Sequence, residues 1–115
     1  AGTYDLSSSD YPDYAASVCK AVKSGSAERG ILICGTGIGM SIAANRFTGI
    51  RAALCYTEEL ATLSRLHNNA NVLCLGSRTQ TMSSMKSIIT PWLETEYEGE
   101  RHNRRLEKIE SNVRG

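Results

Sequence analysis

The chain has 115 residues, of which 41% are hydrophobic, and it carries 13 Lys and Arg against 12 Asp and Glu, a net charge of +1. This length fits one domain with an ordinary core. The balanced charge disfavours a general nucleic-acid binder, which needs a basic surface. No apolar run approaches the roughly 18 residues of a membrane span, and the start shows no signal-peptide pattern. We expect a soluble, cytoplasmic protein.

Turn residues and apolar periodicity predict five helices and three strands. The run 30–34 is β-branched without alternation, which indicates a strand covered on both faces. In chain order we expect a helix that starts at 10–13 and ends at 23–26, a strand at 30–34, a helix at 40–46, a strand at 50–55, a helix at 57–68, a strand at 72–75, a helix from about 79 with a kink or restart at Pro91, and a helix at 101–111.

The alternation of strands and helices predicts an α/β fold, a three-layer αβα sandwich with a Rossmann-like parallel sheet. Three strands are few for such a sheet, and residues 1–9 supply no strand of their own. We therefore expect that the chain lacks its natural N-terminus, or that the open edge of the sheet pairs with something else.

The four cysteines lie in separate segments and form no C-x-x-C pair. This spacing disfavours a disulfide framework or a zinc site and fits free thiols in a reducing compartment. We assign Cys19, Cys55 and Cys74 to packing, and we expect Trp92 in the core or in an interface.

The segment after the first strand joins Cys34 to three alternating glycines, Gly35, Gly37 and Gly39. Ligands of α/β sheets bind at the carboxyl ends of the strands. Main-chain N–H groups in a glycine loop that leads into a helix suit a phosphate or a developing oxyanion, and they favour the thiolate of a nearby cysteine. Cys34 is thus either a base or nucleophile, or a small hydrophobic residue before a packing turn.

Two other classes of site fit this loop less well. A dinucleotide site has the spacing G-x-G-x-x-G, whereas the spacing here is G-x-G-x-G, although Glu58 lies where a ribose contact is expected. A cysteine-dependent phosphatase needs an arginine within a few residues of the thiol, and residues 35–41 contain none.

Two histidines and an arginine pair are further candidates. His67 ends a predicted helix, where it can serve as a C-terminal cap or as a general acid or base. Arg101 and Arg105 are four residues apart on one predicted helix face, a spacing that suits a phosphate or a solvated charged surface.

Five segments of the chain resemble the type B ribose-5-phosphate isomerases, a family that also includes allose-6-phosphate and galactose-6-phosphate isomerases. The segments are DYPDYA at 10–15, CGTGIGMSIAAN at 34–45, GIRAA at 49–53, SRLHN at 64–68 and GERH at 99–102. The resemblance implies an aldose–ketose isomerase of the non-oxidative pentose phosphate pathway. Such enzymes act through a cis-enediolate, without a metal or a nucleotide cofactor.

By this resemblance, Cys34 is the base that moves the proton between C2 and C1. Thr36 contacts the sugar oxygens, and His67 opens the furanose ring. The other residues that the resemblance assigns to substrate binding are Tyr11, Gly35, Gly37, Gly39, Ser41, Asn68, and the phosphate ligands Arg101 and Arg105 with His102 nearby.

The resemblance also implies a homodimer or tetramer with the active site at the subunit interface, reached by the C-terminal helix. The family opens with a strand that carries an Asp-His pair. By the same resemblance, we expect about the first 30 family residues to be absent from this sequence. We therefore expect residues 1–115 to be one phosphosugar isomerase domain without its N-terminal strand and helix. A hexose 6-phosphate substrate and a non-catalytic phosphosugar-binding module remain alternatives.

Overall fold

The computed structural model describes residues 11–99 and 102–113. These residues form, in chain order, α1 (Tyr11–Ser24), β1 (Gly30–Cys34), α2 (Ile38–Ala44), β2 (Ala52–Leu54), α3 (Glu58–Asn68), β3 (Val72–Gly76), α4 (Met82–Glu94) and α5 (Asn103–Val113). The predicted order of strands and helices is confirmed.

The three strands form a parallel sheet in the order β1-β3-β2. Val72, the first residue of β3, is in register with Gly30 of β1 and with Ala52 of β2. All strands therefore begin along one edge of the sheet, the amino edge, and end along the other, the carboxyl edge. β3 lies in the centre and is buried at every position.

Helices cover both faces of the sheet, as the αβα prediction requires. On one face α1 and α2 pack over Leu32, Val72 and Cys74. On the other face α3 and α4 pack over Leu73 and Leu75 and enclose the other hydrophobic core cluster. Because side chains alternate along a strand, consecutive residues of β3 supply both cores.

The prediction that β1 is covered on both faces is wrong at Ile33, whose side chain is 45% exposed. β1 lies at the side of the described sheet, whereas α3 and α4 pack over the central strand. Ile31, on the same face as Ile33, still packs against the core beneath those helices. The carboxyl half of β1 therefore presents apolar surface on this face.

β2 is shorter than predicted because side chains replace the ladder at its start. The Oδ1 of Asn71 accepts from the N–H of Arg51 at 2.8 Å. Asn45 donates to the carbonyl of Ala52 and accepts from its N–H, at 3.0 and 2.8 Å. Ile50 is buried in the core without belonging to the strand.

Three helices start at least two residues away from their predicted first residue. α2 begins at Ile38, two residues early, because Gly37 turns the chain with φ of +83°. α4 begins only at Met82, where Thr81 caps it, and it continues through Pro91 without a restart. α5 begins at Asn103, after a turn in which the N–H of His102 donates to the carbonyl of Gly99.

The cysteine and tryptophan predictions are confirmed. All four cysteines are free thiols, and Cys19, Cys55 and Cys74 are buried. Burial raises the pKa of the Cys74 thiol to about 12, so it remains neutral at physiological pH. Trp92 is fully enclosed in the core. None of the helices in the described part of the chain is long and apolar enough to cross a membrane.

Candidate active site

Cys34 is the last residue of β1 and lies at the carboxyl edge, opposite Gly76 at the end of β3. Its thiol is half-buried, unlike the other three. The loop after the neighbouring strand β3 fixes the main chain at this position by two hydrogen bonds. The N–H of Ser77 donates to the carbonyl of Cys34, and the N–H of Arg78 donates to that of Gly35, both at 2.7 Å.

Two glycines have no room for a side chain where the glycine loop packs against the end of β3: Gly37 in the loop and Gly76 in the strand. A Cβ at Gly76 would lie 2.5 Å from the carbonyl oxygen of Thr36. A Cβ at Gly37 would lie 2.6 Å from Leu54 and 3.0 Å from the main chain of Leu75. Glycine is therefore required here by space, and at Gly37 also by its positive φ.

Main-chain donors follow the thiol directly. Among the described residues, the N–H groups of Gly35, Thr36 and Gly37 find no hydrogen-bond acceptor. The next N–H, that of Ile38, donates to the Thr36 hydroxyl at 3.2 Å. Adjacent N–H groups without an acceptor are suited to bind an anion. The anion site that the sequence predicts for this loop stays a prediction.

Gly39 and Ser41 were also predicted to bind substrate, and both lie in α2. The Ser41 hydroxyl donates to the carbonyl of Ile38 at 2.8 Å, so its hydrogen is directed at the helix backbone. Gly39 lies in the first turn of α2 and is half-buried.

Tyr56 and Arg78 reach the loop but were missed by the sequence reasoning. The Tyr56 hydroxyl donates to the carbonyl of Thr36 at 2.8 Å. The Arg78 side chain lies across Gly35, where a Cβ would meet its Cδ and Nε at 3.3 Å. Both follow the carboxyl end of a strand, the position that the rule for ligand sites in α/β sheets would have indicated.

His67 lies at the amino edge, far from Cys34 in the same copy of the chain. α3 starts after β2 at the carboxyl edge and runs the length of the sheet, about 1.5 Å per residue. At its end, the carbonyl of Asn69 accepts from Arg51, the residue before β2. Asn68 is the exposed last residue of the same helix.

His67 stacks on His102, with ring centroids 4.6 Å apart and an interplanar angle of 28°. His102 is buried, and its Nε2 lies 3.2 Å from the carboxylate of Glu98. The N–H of Glu98 donates to the carbonyl of Leu66, so this segment is fixed to α3. The sequence placed His102 near the phosphate ligands but did not pair it with His67.

His67, Glu98 and His102 also have the residue types that bind metals. Their ligand atoms all lie within 4.8 Å of one another. Imidazole and carboxylate ligands suit zinc and other transition metals. If a metal bound here, these three residues would hold it.

The predicted phosphate ligands are only partly described. Arg105 lies in the first turn of α5, and its side chain is exposed. Arg101 and the side chain of Tyr11 lie outside the described residues, and so does the predicted capping residue Asp10. The expectation that Arg101 and Arg105 share one helical face therefore lies partly outside the described residues and stays a prediction.

Comparisons with known proteins show the family of the chain. Residues 1–109 match the family described as Ribose/Galactose Isomerase. The chain is 51% identical over 108 residues to ribose-5-phosphate isomerase B of Escherichia coli, covering 94% of this chain and 72% of the relative.

Two solved structures share the fold closely. The ribose-5-phosphate isomerase B of Clostridium thermocellum has a TM-score of 0.93 and 48% identity, covering 98% of this chain and 76% of that one. The type B ribose 5-phosphate isomerase of Leishmania infantum has a TM-score of 0.92 and 55% identity, covering 99% and 75%. The chain therefore belongs to the ribose/galactose isomerase family.

Proposed function

We propose that the protein is a cytoplasmic aldose–ketose isomerase that interconverts ribose 5-phosphate and ribulose 5-phosphate, with residues 1–115 forming one phosphosugar isomerase domain. One observation carries the proposal. In the described part of the chain, three main-chain N–H groups next to the half-buried Cys34 thiol have no hydrogen-bond acceptor. The same chain is 51% identical to a ribose-5-phosphate isomerase B. Fixed donors beside a base are suited to stabilise the negative charge that the base creates on its substrate.

The reaction moves one proton between two carbons of the open-chain sugar. The Cys34 thiolate removes the proton from C2, the C–H electron pair forms the C1–C2 double bond, and O1 becomes negative. The O2 hydroxyl passes its proton to O1, the C2 carbonyl forms, and the thiol returns its proton to C1. Charge develops on O1 and then O2, so donors near both oxygens lower the barrier.

The loop around Cys34 keeps these donors in place. Tyr56 holds the Thr36 carbonyl, and this leaves the Thr36 hydroxyl and the free N–H groups on the loop for the sugar oxygens. Arg78 brings a guanidinium to Gly35, next to the point where negative charge develops. We assign Tyr56 as a positioning residue and Arg78 as an electrostatic one.

His67 is proposed to open the furanose ring by taking the proton of the anomeric hydroxyl and giving one to the ring oxygen. His102 supports it from one side, and Glu98 holds His102. Arg105, with Arg101, is proposed to bind the phosphate, whose binding energy fixes C1 and C2 over the base.

A second copy of the chain is needed to complete the site. Cys34 and His67 lie at opposite edges of a sheet whose central strand has five residues, or about 16 Å. One pentose phosphate cannot touch both in a single copy. We propose a homodimer, or a tetramer of such dimers, in which α5 reaches the partner copy, so that Arg101 and Arg105 of one copy, together with His67 of its α3, lie beside Cys34 of the other.

Exposed apolar side chains are consistent with this assembly. Ile38 and Ile42 are 49% and 57% exposed on one side of α2, next to the glycine loop. Ile109 of α5 is 49% exposed. Burial of such residues between copies would supply hydrophobic stabilisation.

C2-proton exchange in deuterated water, followed by NMR, tests the function. Ribose 5-phosphate is expected to exchange its C2 proton and form ketose, and Cys34→Ala should lower the rate by about 100-fold or more. Cys19→Ala is the matched control because it removes a buried thiol from the core. Faster exchange with galactose 6-phosphate would assign a hexose substrate, and binding without exchange would leave a phosphosugar-binding module.

A further inference from the structure

A cavity of about 370 Å³ opens at the amino edge of the sheet. The residue immediately before each strand lines it: Arg29 before β1, Arg51 before β2 and Asn71 before β3. Arg65 enters the same cavity from α3. A parallel sheet brings these positions together, although they are far apart in sequence.

Main-chain carbonyls fix the three guanidiniums. Arg29, Arg51 and Arg65 each donate to at least one carbonyl, at distances between 2.7 and 3.0 Å. The carbonyls belong to Trp92 and Leu93 for Arg29, to Asn69 for Arg51, and to Thr95 and Ala70 for Arg65. The guanidiniums are thus held in place before any ligand arrives.

Part of each guanidinium remains available. The Nη2 of Arg65 and both Nη atoms of Arg51 have no hydrogen-bond acceptor among residues 11–99 and 102–113. Arg65 is only 5% exposed, and these atoms are not sealed inside the protein. Since both residues line the cavity, their remaining N–H groups have the cavity as their route to solvent.

The positive charge in the cavity is incompletely balanced. Glu28 and Glu96 also line it, but their side chains are exposed, and in the described ranges no carboxylate lies within ion-pair distance of the three arginines. Burial, and then the charge of Arg29, lowers the pKa of the Arg65 guanidinium below its usual value. An anion between the arginines would relieve this repulsion.

We propose that the cavity at the amino edge binds a phosphorylated small molecule through Arg29, Arg51 and Arg65. Fixed guanidiniums bind phosphate oxygens through charge-assisted, often paired, hydrogen bonds. The cavity volume lies in the range of ordinary small-molecule sites. Asn69, Asn71 and Tyr97 also line its wall, but the Oδ1 of Asn69, both side-chain polar atoms of Asn71 and the Tyr97 hydroxyl already hydrogen-bond to the protein.

The cavity adjoins the stacked His67 and His102, since the ring centroids of Tyr97 and His102 are 6.5 Å apart, but its lining is its own. None of Cys34, Thr36, His67 and Arg105 lines the cavity. Binding to Arg29, Arg51 and Arg65 therefore does not depend on the isomerase assignment.

Isothermal titration with pyrophosphate tests this site, using the whole protein. Arg51→Gln should weaken binding about tenfold because it removes a charged donor pair. Glu96→Gln should tighten binding severalfold because it removes a negative charge from the wall without breaking any hydrogen bond of the described structure. Arg105→Gln is the matched control, since it removes an exposed arginine of the proposed phosphate anchor elsewhere.

Two results would overturn the proposal. The first is an affinity that neither Arg51→Gln nor Glu96→Gln changes. The second is binding that Arg105→Gln abolishes, which would assign pyrophosphate to the isomerase site. If Arg51→Gln destabilises the fold, the sign of the Glu96→Gln effect decides alone.

Discussion

At the carboxyl edge of the sheet, the groups offered to a ligand are mainly the thiol of Cys34, the hydroxyl of Thr36 and the main-chain N–H groups of 35–37, with one guanidinium, that of Arg78. At the amino edge they are guanidiniums, imidazoles and carboxylates. The first set is positioned by backbone dihedral angles and by close packing around Gly37 and Gly76. The second is positioned by hydrogen bonds from long side chains to helix-end carbonyls. Mutations should therefore disrupt the two edges in different ways: through backbone packing at the carboxyl edge and through side-chain hydrogen bonds at the amino edge.

Mixing two inactive variants tests the separation of the edges most directly. Cys34→Ala and His67→Ala homodimers should each lose about 100-fold or more in kcat. Random mixing of the two chains should restore about a quarter of the wild-type activity, because half of the dimers are mixed and each has one intact site. The rate of ketose formation after co-refolding measures this.

The control for mixing is a pair of variants on the same edge. Cys34→Ala mixed with Thr36→Ala should recover no more activity than the two variants have unmixed. Both residues lie in the loop of one copy, so each site of a mixed dimer contains either a Cys34→Ala loop or a Thr36→Ala loop. If Cys34→Ala mixed with His67→Ala recovers no more activity than this same-edge pair, both residues act within one copy.

Gly37→Ala should destabilise the loop at the carboxyl edge, because it forces a side chain onto a residue with a positive φ and no free space. The new Cβ would meet Leu54 and the main chain of Leu75 at a φ of +83°, so we expect a loss of about 2–4 kcal/mol in the free energy of unfolding. Gly25→Ala is the matched control, because Gly25 has φ of +85° and no atom within 4 Å. It should lose about 1 kcal/mol.

Urea denaturation of the two glycine variants measures the difference. A similar loss in both would mean that the positive φ alone matters and that the loop can move away from Leu75. A larger loss in Gly37→Ala would establish the close contact between the loop and the sheet.

High pH should lower the free energy of unfolding through the thiol of Cys74, which lies in the central strand between the two edges. The folded pKa of Cys74 is raised to about 12 by burial, above the ordinary value of 9.0. Between these values the unfolded chain releases a proton that the folded chain keeps, so stability is full below about pH 9 and falls as pH rises, by up to about 1.4 kcal/mol per pH unit.

Cys74→Ala should flatten this dependence, although it lowers stability at neutral pH by leaving a small cavity. Denaturant midpoints between pH 8 and pH 10 compare the two proteins. The same slope in both would assign the alkaline loss to other groups.

The central sheet could be predicted from sequence because its signals are local. β1 and β3 begin and end within a residue of the predictions, since continuous apolar runs stop at Gly35 and Gly76. β2 could not be bounded in this way. The side chains of Asn45 and Asn71 take the hydrogen bonds at its start, and nothing near residue 50 indicates that.

The residues of the candidate site likewise differ in whether the sequence could predict them. Cys34 and its glycines form one continuous motif, whereas the stack of His67 on His102 joins residues that are far apart in sequence. Arg29, Arg51 and Arg65 are unremarkable singly, and only the strand register brings them to one cavity. Residues that act together through long-range contacts leave no spacing to detect.

The contact of Ser77 with the carbonyl of Cys34 spans 43 residues of the chain. A growing polypeptide therefore cannot shape the thiol's surroundings until β3 and the turn after it have emerged and paired with β1. Closing so long a loop is costly in entropy and delays the step. Acquisition of activity during refolding should thus coincide with completion of the sheet, with no earlier species that carries a working thiol.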